Sequence, residues 1–155
     1  MKMDTIDSFN GKYRFLSNFS DYPCLFEGIN YKTVEHAFQA AKTLDIKQRM
    51  KIAEVVTPGE AKKLGRRVCL RKDWEQVKDA IMYDCLVSKF KLDKVLRLKL
   101  LDTYPAELIE GNTWGDTYWG VCNGAGKNML GKLLMKLRDE MKQEINIDSK
   151  ITVDK

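Results

Sequence analysis

Four side chains on one face of a predicted helix could act together on a substrate. The helix is predicted over residues 34–44, where Glu35, Phe38, Gln39 and Lys42 follow one another at i, i+3, i+4 and i+7. If this face is partly buried, a carboxylate, an amide and an amine line one wall of a polar cleft, and burial shifts the pKa of both charged groups. The alternative is a solvated stripe of charges with Phe38 in the core.

A second candidate is the irregular, glycine-spaced segment of residues 110–120. It holds Trp114, Tyr118 and Trp119 within six positions, and exposed rings of this kind stack on a flat base at about 1–3 kcal/mol each. Asp116 stands between them and could orient or protonate a ligand atom. The alternative is that the rings fasten the loop to the core.

Two shorter segments add polar groups near predicted turns. Residues 15–20 (F-L-S-N-F-S) form a polar turn flanked by aromatic residues. Residues 124–128 (G-A-G-K-N) lead into a predicted helix N-terminus, which is a natural seat for phosphate. This run lacks the spacing of a Walker A loop, and a capped helix start explains it equally well.

Histidine and cysteine usage narrows the chemistry. The sequence has one histidine, His36, and four scattered cysteines without a CxxC pair, so neither a structural nor a catalytic zinc site can be assembled convincingly. A Ser-His-Asp or Cys-His catalytic group would have to use His36 as its base. We therefore expect no metal and no cofactor, and chemistry carried by carboxylates, lysines and aromatic rings.

Length, composition and charge set the class of protein. With 155 residues and 44% hydrophobic residues, the chain can form one compact core without disulfides. No apolar run is long enough to span a membrane and residues 1–5 do not resemble a secretory signal, so we expect a cytoplasmic protein without a membrane partner. The net charge of +5 favours anionic ligands, but positive and negative residues are interleaved rather than gathered into a nucleic-acid-binding block.

The periodicity predicts an α+β fold, a mainly helical single domain with a small β-sheet over residues 1–145, followed by a fraying tail, 146–155. The predicted hairpin and strands are residues 24–26 with 29–32, 106–110 and 118–121. The other predicted helices are residues 46–55, 58–64, 94–101, one starting at 74 and one at 129. The predicted N-cap residues are Thr33, Asp45, Thr57, Asp73 and Asn128. Gly65 is predicted to take the left-handed conformation that closes a helix.

Six segments, taken in order, carry a resemblance to a known family. They are Y-R-F-L-S-N-F (13–19), Y-K-T-V-E-H-A-F-Q-A-A-K (31–42), K-K-L-G-R (62–66), R-K-D-W (71–74), W-G-D-T-Y-W-G (114–120) and G-K-N-M-L-G-K-L-L-M (126–135). Together they resemble the NADAR, or YbiA-like, family over about residues 9–140. The resemblance implies a metal-independent N-glycosidase that cleaves the bond between a phosphorylated ribose and a base. It implies one of two substrates: ADP-ribose on a modified guanine of nucleic acid, which we favour, or a phosphorylated ribosylamino-pyrimidine intermediate of riboflavin biosynthesis.

On this resemblance we assign roles to the candidate residues. Glu35 stabilises positive charge on the sugar, Asp116 orients ribose hydroxyls or protonates the leaving base, and Lys42 is either a Schiff-base nucleophile or a cation that holds phosphate. The expected substrate-binding residues are Phe15, Ser17, Asn18, Phe19, Phe38, Gln39, Arg66, Asn112, Trp114, Trp119, Gly120 and Asn128.

Two functions of other classes compete with the enzyme. One is a non-catalytic module that binds ADP-ribose or a related nucleotide, which would not need both Glu35 and Lys42. The other is a small nucleic-acid-binding protein that uses the basic face of the last helix and whose affinity falls steeply with salt. The enzyme itself would make at most transient contact with nucleic acid, and the sequence indicates no particular oligomeric state.

Overall fold

The computed structural model describes residues 4–153, and the chain divides into two compact units. One unit is residues 17–94 and the other is residues 1–16 with 95–155. The architecture is α+β and mainly helical, as predicted. In chain order the elements are β1 (Thr5–Ile6), a 3₁₀ helix (Gly11–Leu16), β2 (Cys24–Phe26), β3 (Ile29–Tyr31), α1 (Val34–Ala40), α2 (Ile46–Glu54), α3 (Pro58–Gly65), α4 (Trp74–Leu92), α5 (Lys94–Asp102), β4 (Glu107–Leu108), β5 (Gly111–Asn112), β6 (Val121–Cys122) and α6 (Met129–Val153).

Side-chain caps start three helices of the unit of residues 17–94, as predicted. The side chains of Thr33, Asp45 and Thr57 each accept a hydrogen bond from a backbone N–H two or three residues later. Asp73 is the N-cap residue of α4, as predicted, but its side chain makes no capping bond. Its carboxylate instead pairs with the guanidinium of Arg71 at 2.7 and 3.1 Å.

Helix α1 is the central element of this unit. All seven of its residues are buried, and it packs against α2, α3 and α4. It ends at Ala40, four residues earlier than predicted, because the chain then tightens: the Lys42 N–H donates to the Gln39 carbonyl three residues back, at 3.2 Å. The Arg71 N–H donates a hydrogen bond to the Lys42 carbonyl at 2.7 Å, which fixes this turn. Lys42 therefore lies just beyond the helix.

The predicted hairpin is present beside these helices. Strands β2 and β3 pair in antiparallel register, with Cys24 opposite Tyr31, and β2 packs on α4. The two turn residues, Glu27 and Gly28, have φ of 46° and 84°, the backbone that a two-residue hairpin turn requires. The Glu27 carboxylate also accepts a bond from Arg49 at 3.3 Å, so the turn is fastened to α2.

The other unit contains very short strands and one long helix. β1 pairs with β4 and β5 with β6, both in parallel, so the described residues form three separate two-stranded pairs rather than one small sheet. The predicted strands at 106–110 and 118–121 shrink to Glu107–Leu108 and Val121–Cys122. They are short because an asparagine-bonded loop, described below, takes up the residues between them.

Asn128 and helix α6 both differ from expectation. Asn128 has φ 54°, and its side chain accepts from the Glu110 N–H and donates to the Leu108 carbonyl, both at 2.9 Å. The predicted Asn128 cap of α6 is therefore wrong, because that amide is bonded to the preceding strand region. The helix continues through Val153 where the sequence predicted fraying from residue 146. Its apolar stripe ends at Met141, and residues 143–150 are exposed although they remain helical.

No helix in residues 4–153 is long and apolar enough to cross a membrane.

Candidate active site

Glu35 is a carboxylate buried in the first turn of α1. The residue as a whole is only 7% exposed. Its Oε1 accepts a hydrogen bond from Gln39 Nε2 at 2.7 Å, one helical turn away, and its N–H donates to the Asn18 carbonyl at 3.1 Å. The carboxylate is thus held in one orientation by a neighbour on its own helix.

Gln39 has an acceptor left over. Its Nε2 is bound to Glu35, which fixes the amide orientation, and its Oε1 has no hydrogen-bond partner within the described part of the chain although Gln39 is 4% exposed. A buried acceptor without a partner is costly, so this oxygen is a natural point for a ligand donor.

Gly65 makes room for Gln39. Helix α3 ends at Gly65, as predicted, but the predicted left-handed conformation of Gly65 is wrong, and the C-cap is Arg66 in right-handed conformation. A Cβ placed on Gly65 would overlap the side chain of Gln39. The glycine is needed for close packing of α3 on α1, not for a turn.

We expect Gly65→Ala to displace Gln39 and to destabilise the fold by about 1–3 kcal/mol, the usual cost of overpacking. The matched control is Gly59→Ala on the same helix, where the nearest atom to a new Cβ is Thr57 Oγ1 at 3.9 Å. That change should be neutral or stabilising by up to about 1 kcal/mol. Thermal melting of both variants measures the difference. Equal melting temperatures would contradict the packing role of Gly65.

Lys42 is a half-buried amine that is electrostatically coupled to Glu35. Burial lowers the pKa of Lys42, the negative charge of Glu35 opposes that shift, and the positive charges of Lys62 and Arg66 lower the pKa further. Two cations of the α3 end thus act on Lys42. Because its pKa is lowered, a larger fraction of Lys42 is the neutral, nucleophilic amine at a given pH than for an ordinary surface lysine.

Phe38 belongs to the core. Its ring packs on Trp74 with centroids 5.0 Å apart at 54°, and both residues are buried. The alternative that placed Phe38 in the core is therefore confirmed for this ring. The neighbouring Glu35 and Gln39 are buried as well, so the α1 face is not a solvated stripe.

The polar turn at residues 17–20 reaches this site through Asn18. The Asn18 carbonyl accepts a hydrogen bond from the Glu35 N–H. The Asn18 side chain donates from Nδ2 to Met82 Sδ at 3.5 Å, and its buried Oδ1 has no partner among residues 4–153. Ser17 Oγ accepts the Phe19 N–H at 3.1 Å and so shapes the turn. Phe15 lies in the other unit, buried with Lys99 over its ring at 5.7 Å.

His36 has a structural role. It is fully buried, with Nδ1 2.8 Å from Thr33 Oγ1 and Nε2 3.0 Å from the Val55 carbonyl. The carbonyl can only accept, so Nε2 carries the proton. Burial lowers the pKa of His36, which keeps the ring neutral. Both ring nitrogens are thus occupied, and neither serves as a catalytic base.

The second group of predicted residues is a bonded loop in the other unit. Asp116 Oδ1 accepts the N–H groups of Tyr118 and Trp119 at 3.1 and 2.9 Å. Asn112 accepts the Asp116 N–H at 3.0 Å and donates to the Asp116 carbonyl at 2.9 Å. One carboxylate oxygen of Asp116 therefore holds the loop, and the Asn112 side chain serves the same purpose.

The aromatic rings of this loop divide into two kinds. Trp114 is 65% exposed, as stacking on a ligand requires. Trp119 is half-buried and packs edge-on against the adjacent Tyr118, with centroids 4.9 Å apart. Gly120 is buried where a Cβ would overlap Glu110 and Asn112.

Sequence reasoning missed Glu110. Its Oε2 accepts the Asn112 Nδ2 at 3.0 Å, so a half-buried carboxylate lies beside the Asp116 loop. The available signal was its position directly before Gly111-Asn112, at the start of the aromatic segment.

Within residues 4–153 there is no group of three or more His, Cys, Asp or Glu side chains that could hold a metal ion.

Comparison with known proteins identifies the family of this chain. Residues 7–142 match the model of the NADAR domain. The chain belongs to the NADAR domain family. N-glycosidase YbiA of Escherichia coli (strain K12) is 44% identical over 144 residues, 89% of each chain. The NMR structure of Escherichia coli YbiA superposes with a TM-score of 0.81 at 41% identity, covering 93% of this chain and 89% of that one.

Two more distant relatives carry informative names. N-glycosidase Npun_R5314 of Nostoc punctiforme is 37% identical over 141 residues, 87% of this chain and 90% of that protein. The chloroplastic riboflavin biosynthesis protein PYRR of Zea mays is 35% identical over 145 residues, 81% of this chain but 23% of that protein. The resemblance to the NADAR family and the α+β fold expected from it are both confirmed.

Proposed function

We propose that this NADAR-domain chain hydrolyses the N-glycosyl bond between a phosphorylated ribose and a base nitrogen. The general class, an N-glycosidase and so a hydrolase, follows from the family and its curated relatives. The observation that supports the finer proposal most strongly is the buried Glu35 carboxylate, oriented by Gln39 and electrostatically coupled to an amine of lowered pKa, Lys42.

Glu35 suits the sugar side of the reaction. Breaking an N-glycosyl bond develops positive charge on the ribose ring, and a fixed carboxylate in a site with little water stabilises that charge. Because Gln39 already holds the carboxylate, little reorganisation is needed as the charge appears. The free Oε1 of Gln39 is placed to accept a ribose hydroxyl or an amino group of the substrate.

Lys42 suits a covalent route. Once the ribosylamine opens to an imine, the neutral Lys42 amine adds to C1 and expels the base as its free amine. Water then hydrolyses the lysine imine and releases the sugar. The other role for Lys42, a permanent cation that holds phosphate, would not benefit from a lowered pKa.

The cations around Lys42 suit a phosphorylated sugar. Lys62 and Arg66 lie one turn apart at the end of α3, and both act electrostatically on Lys42. Their charges also agree with the +5 net charge of the chain. A phosphate near α3 would place the ribose toward Glu35.

For the base, we favour guanine carrying ADP-ribose. Within its own unit, the exposed Trp114 ring is suited to stacking on a flat base. A second candidate is a phosphorylated ribosylamino-pyrimidine, supported by the riboflavin biosynthesis name of the maize relative. Incubating the protein separately with ADP-ribosylated guanosine and with the riboflavin intermediate, and comparing initial rates of base release, tests the choice. Binding of ADP-ribose with no release from either substrate would instead support a non-catalytic module.

The covalent route predicts a pH dependence. The neutral amine of Lys42 forms as pH rises through its pKa, so kcat/KM should rise with pH through that value. Lys62→Gln removes a like charge, raises the pKa of Lys42 and should move the rise to higher pH. Lys63→Gln, on an exposed position of the same helix, should leave the profile in place. An unmoved profile for Lys62→Gln would argue against Lys42 as the titrating group.

Asp116 can be tested apart from its loop. Asp116→Asn keeps an oxygen that can accept the N–H groups of Tyr118 and Trp119 but removes the charge and the acid, whereas Asp116→Ala removes both. If Asp116 protonates the base, Asp116→Asn should lower kcat by about 10²-fold or more while the melting temperature stays near that of the parent. Full activity in Asp116→Asn would leave Asp116 only its bonds within the loop.

A further inference from the structure

Lys89 of α4 is a buried lysine that the reaction does not use. Its side chain is 1% exposed. An ammonium removed from water is costly unless it is closely bonded, so its partners show what it holds.

The Lys89 ammonium is bonded to the turn at residues 17–20. Its Nζ donates to the Ser17 carbonyl and to Ser20 Oγ, each at 3.1 Å, and lies 5.7 Å from the Tyr22 ring. The Ser17 carbonyl also accepts the Ser20 hydroxyl at 2.7 Å and the Ser20 N–H at 3.2 Å. One charge therefore organises both ends of this turn.

Asn18 lies inside that turn. Its carbonyl accepts the N–H of Glu35 at 3.1 Å, and its own Oδ1 is buried without a partner among the described residues. Any change in the backbone between Ser17 and Ser20 would move Asn18 relative to the first turn of α1. The bond between Lys89 and Ser17, which are 72 residues apart in sequence, therefore affects the end of the site at Glu35.

We propose that Lys89 is a positioning residue: its ammonium fixes residues 17–20 so that Asn18 is held against the first turn of α1 at Glu35. The role in catalysis rests on the proposed function, in which Glu35 stabilises charge on the sugar, and on the sequence-based expectation that Asn18 binds substrate. The mechanical part, the ordering of the turn, does not depend on any substrate.

The first test is amide hydrogen exchange on Lys89→Met, which keeps most of the stem volume and removes the charge. The N–H groups of Phe19, Ser20 and Glu35 should exchange at least about 10-fold faster, while the amides of α6 keep their rates. Lys91→Met, an exposed lysine of the same helix, should change neither set. Unchanged exchange at these three amides, or an equal increase at all amides, overturns the proposal.

The second test is a double-mutant cycle in the turnover assay. Lys89→Met and Asn18→Ala should each raise KM about 10-fold, and the double variant should be no worse than Asn18→Ala alone, because one effect acts through the other. Losses that multiply overturn the proposal. Ile52→Ala, a buried change in α2, should lower the melting temperature without raising KM, which separates positioning from general stability.

Two outcomes keep the hypotheses apart. If Lys89→Met does not fold, Ser20→Ala removes one ammonium contact and should still speed exchange at Phe19 and Glu35; unchanged rates there overturn the proposal. If the parent protein releases no base from either substrate, the proposed function fails, and the exchange data alone decide the role of Lys89.

Discussion

Glu35→Gln should lower kcat by about 10²–10⁴-fold while the protein stays folded, because the lost group is a fixed negative charge beside the reacting sugar. Glutamine matches glutamate in shape, and its amide oxygen can still accept the bond from Gln39 Nε2. The packing of α1 is therefore preserved, and the change removes charge alone. Initial rates with saturating substrate, together with thermal melting, measure the effect.

A second readout identifies Glu35 by its charge. Because Glu35 raises the pKa of Lys42, Glu35→Gln should move the pH-dependent rise of kcat/KM to lower pH, opposite to Lys62→Gln. Glu54→Gln, at an exposed position at the end of α2, should change neither the rate nor the profile. Near-parental turnover in Glu35→Gln would remove Glu35 from the catalytic group.

Local chemistry made much of the fold predictable. Three helix starts could be predicted at Thr33, Asp45 and Thr57, because a short polar side chain at the N-cap accepts a hydrogen bond from a free N–H group of the first turn. The Glu35–Gln39 bond also follows from spacing, because residues four apart on a helix face each other. Predictions of this kind depend on neighbours within one helical turn.

Predictions failed where the partner lies far away in the chain. Helix α3 does end at Gly65, but a glycine is needed there because of Gln39, 26 residues earlier, and not for a left-handed turn. Asn128 fits the sequence pattern of an N-cap, but its side-chain amide donates a hydrogen bond to the Leu108 carbonyl, 20 residues earlier. Lys89 carries no local signal of burial, and only the folded turn at Ser17 explains why it is buried.

The α1 face was predicted in part for the wrong reason. Spacing at i+7 placed Lys42 on the same face as Glu35, yet the helix ends at Ala40. The tightened turn after Ala40, fixed by the Arg71 N–H on the Lys42 carbonyl, nevertheless leaves Lys42 under the electrostatic influence of Glu35. A turn that depends on a residue 29 positions later is beyond any local pattern.

Lys42→Met should lower turnover on the order of 10³-fold or more, the scale expected when a covalent nucleophile is removed. Methionine keeps the length of the half-buried stem, so the loss is chemical rather than structural. Lys47→Met, an exposed lysine of α2, is the matched control and should retain parental rates.

Lys42→Arg and chemical trapping decide between nucleophile and phosphate cation. Arginine keeps the positive charge but supplies no neutral amine, so the covalent route predicts that Lys42→Arg is as inactive as Lys42→Met. Borohydride added during turnover should reduce the imine and leave the sugar bonded to Lys42, which peptide mass spectrometry locates. An unmodified Lys42 together with an active Lys42→Arg would establish the cation role instead, because charge alone would then suffice.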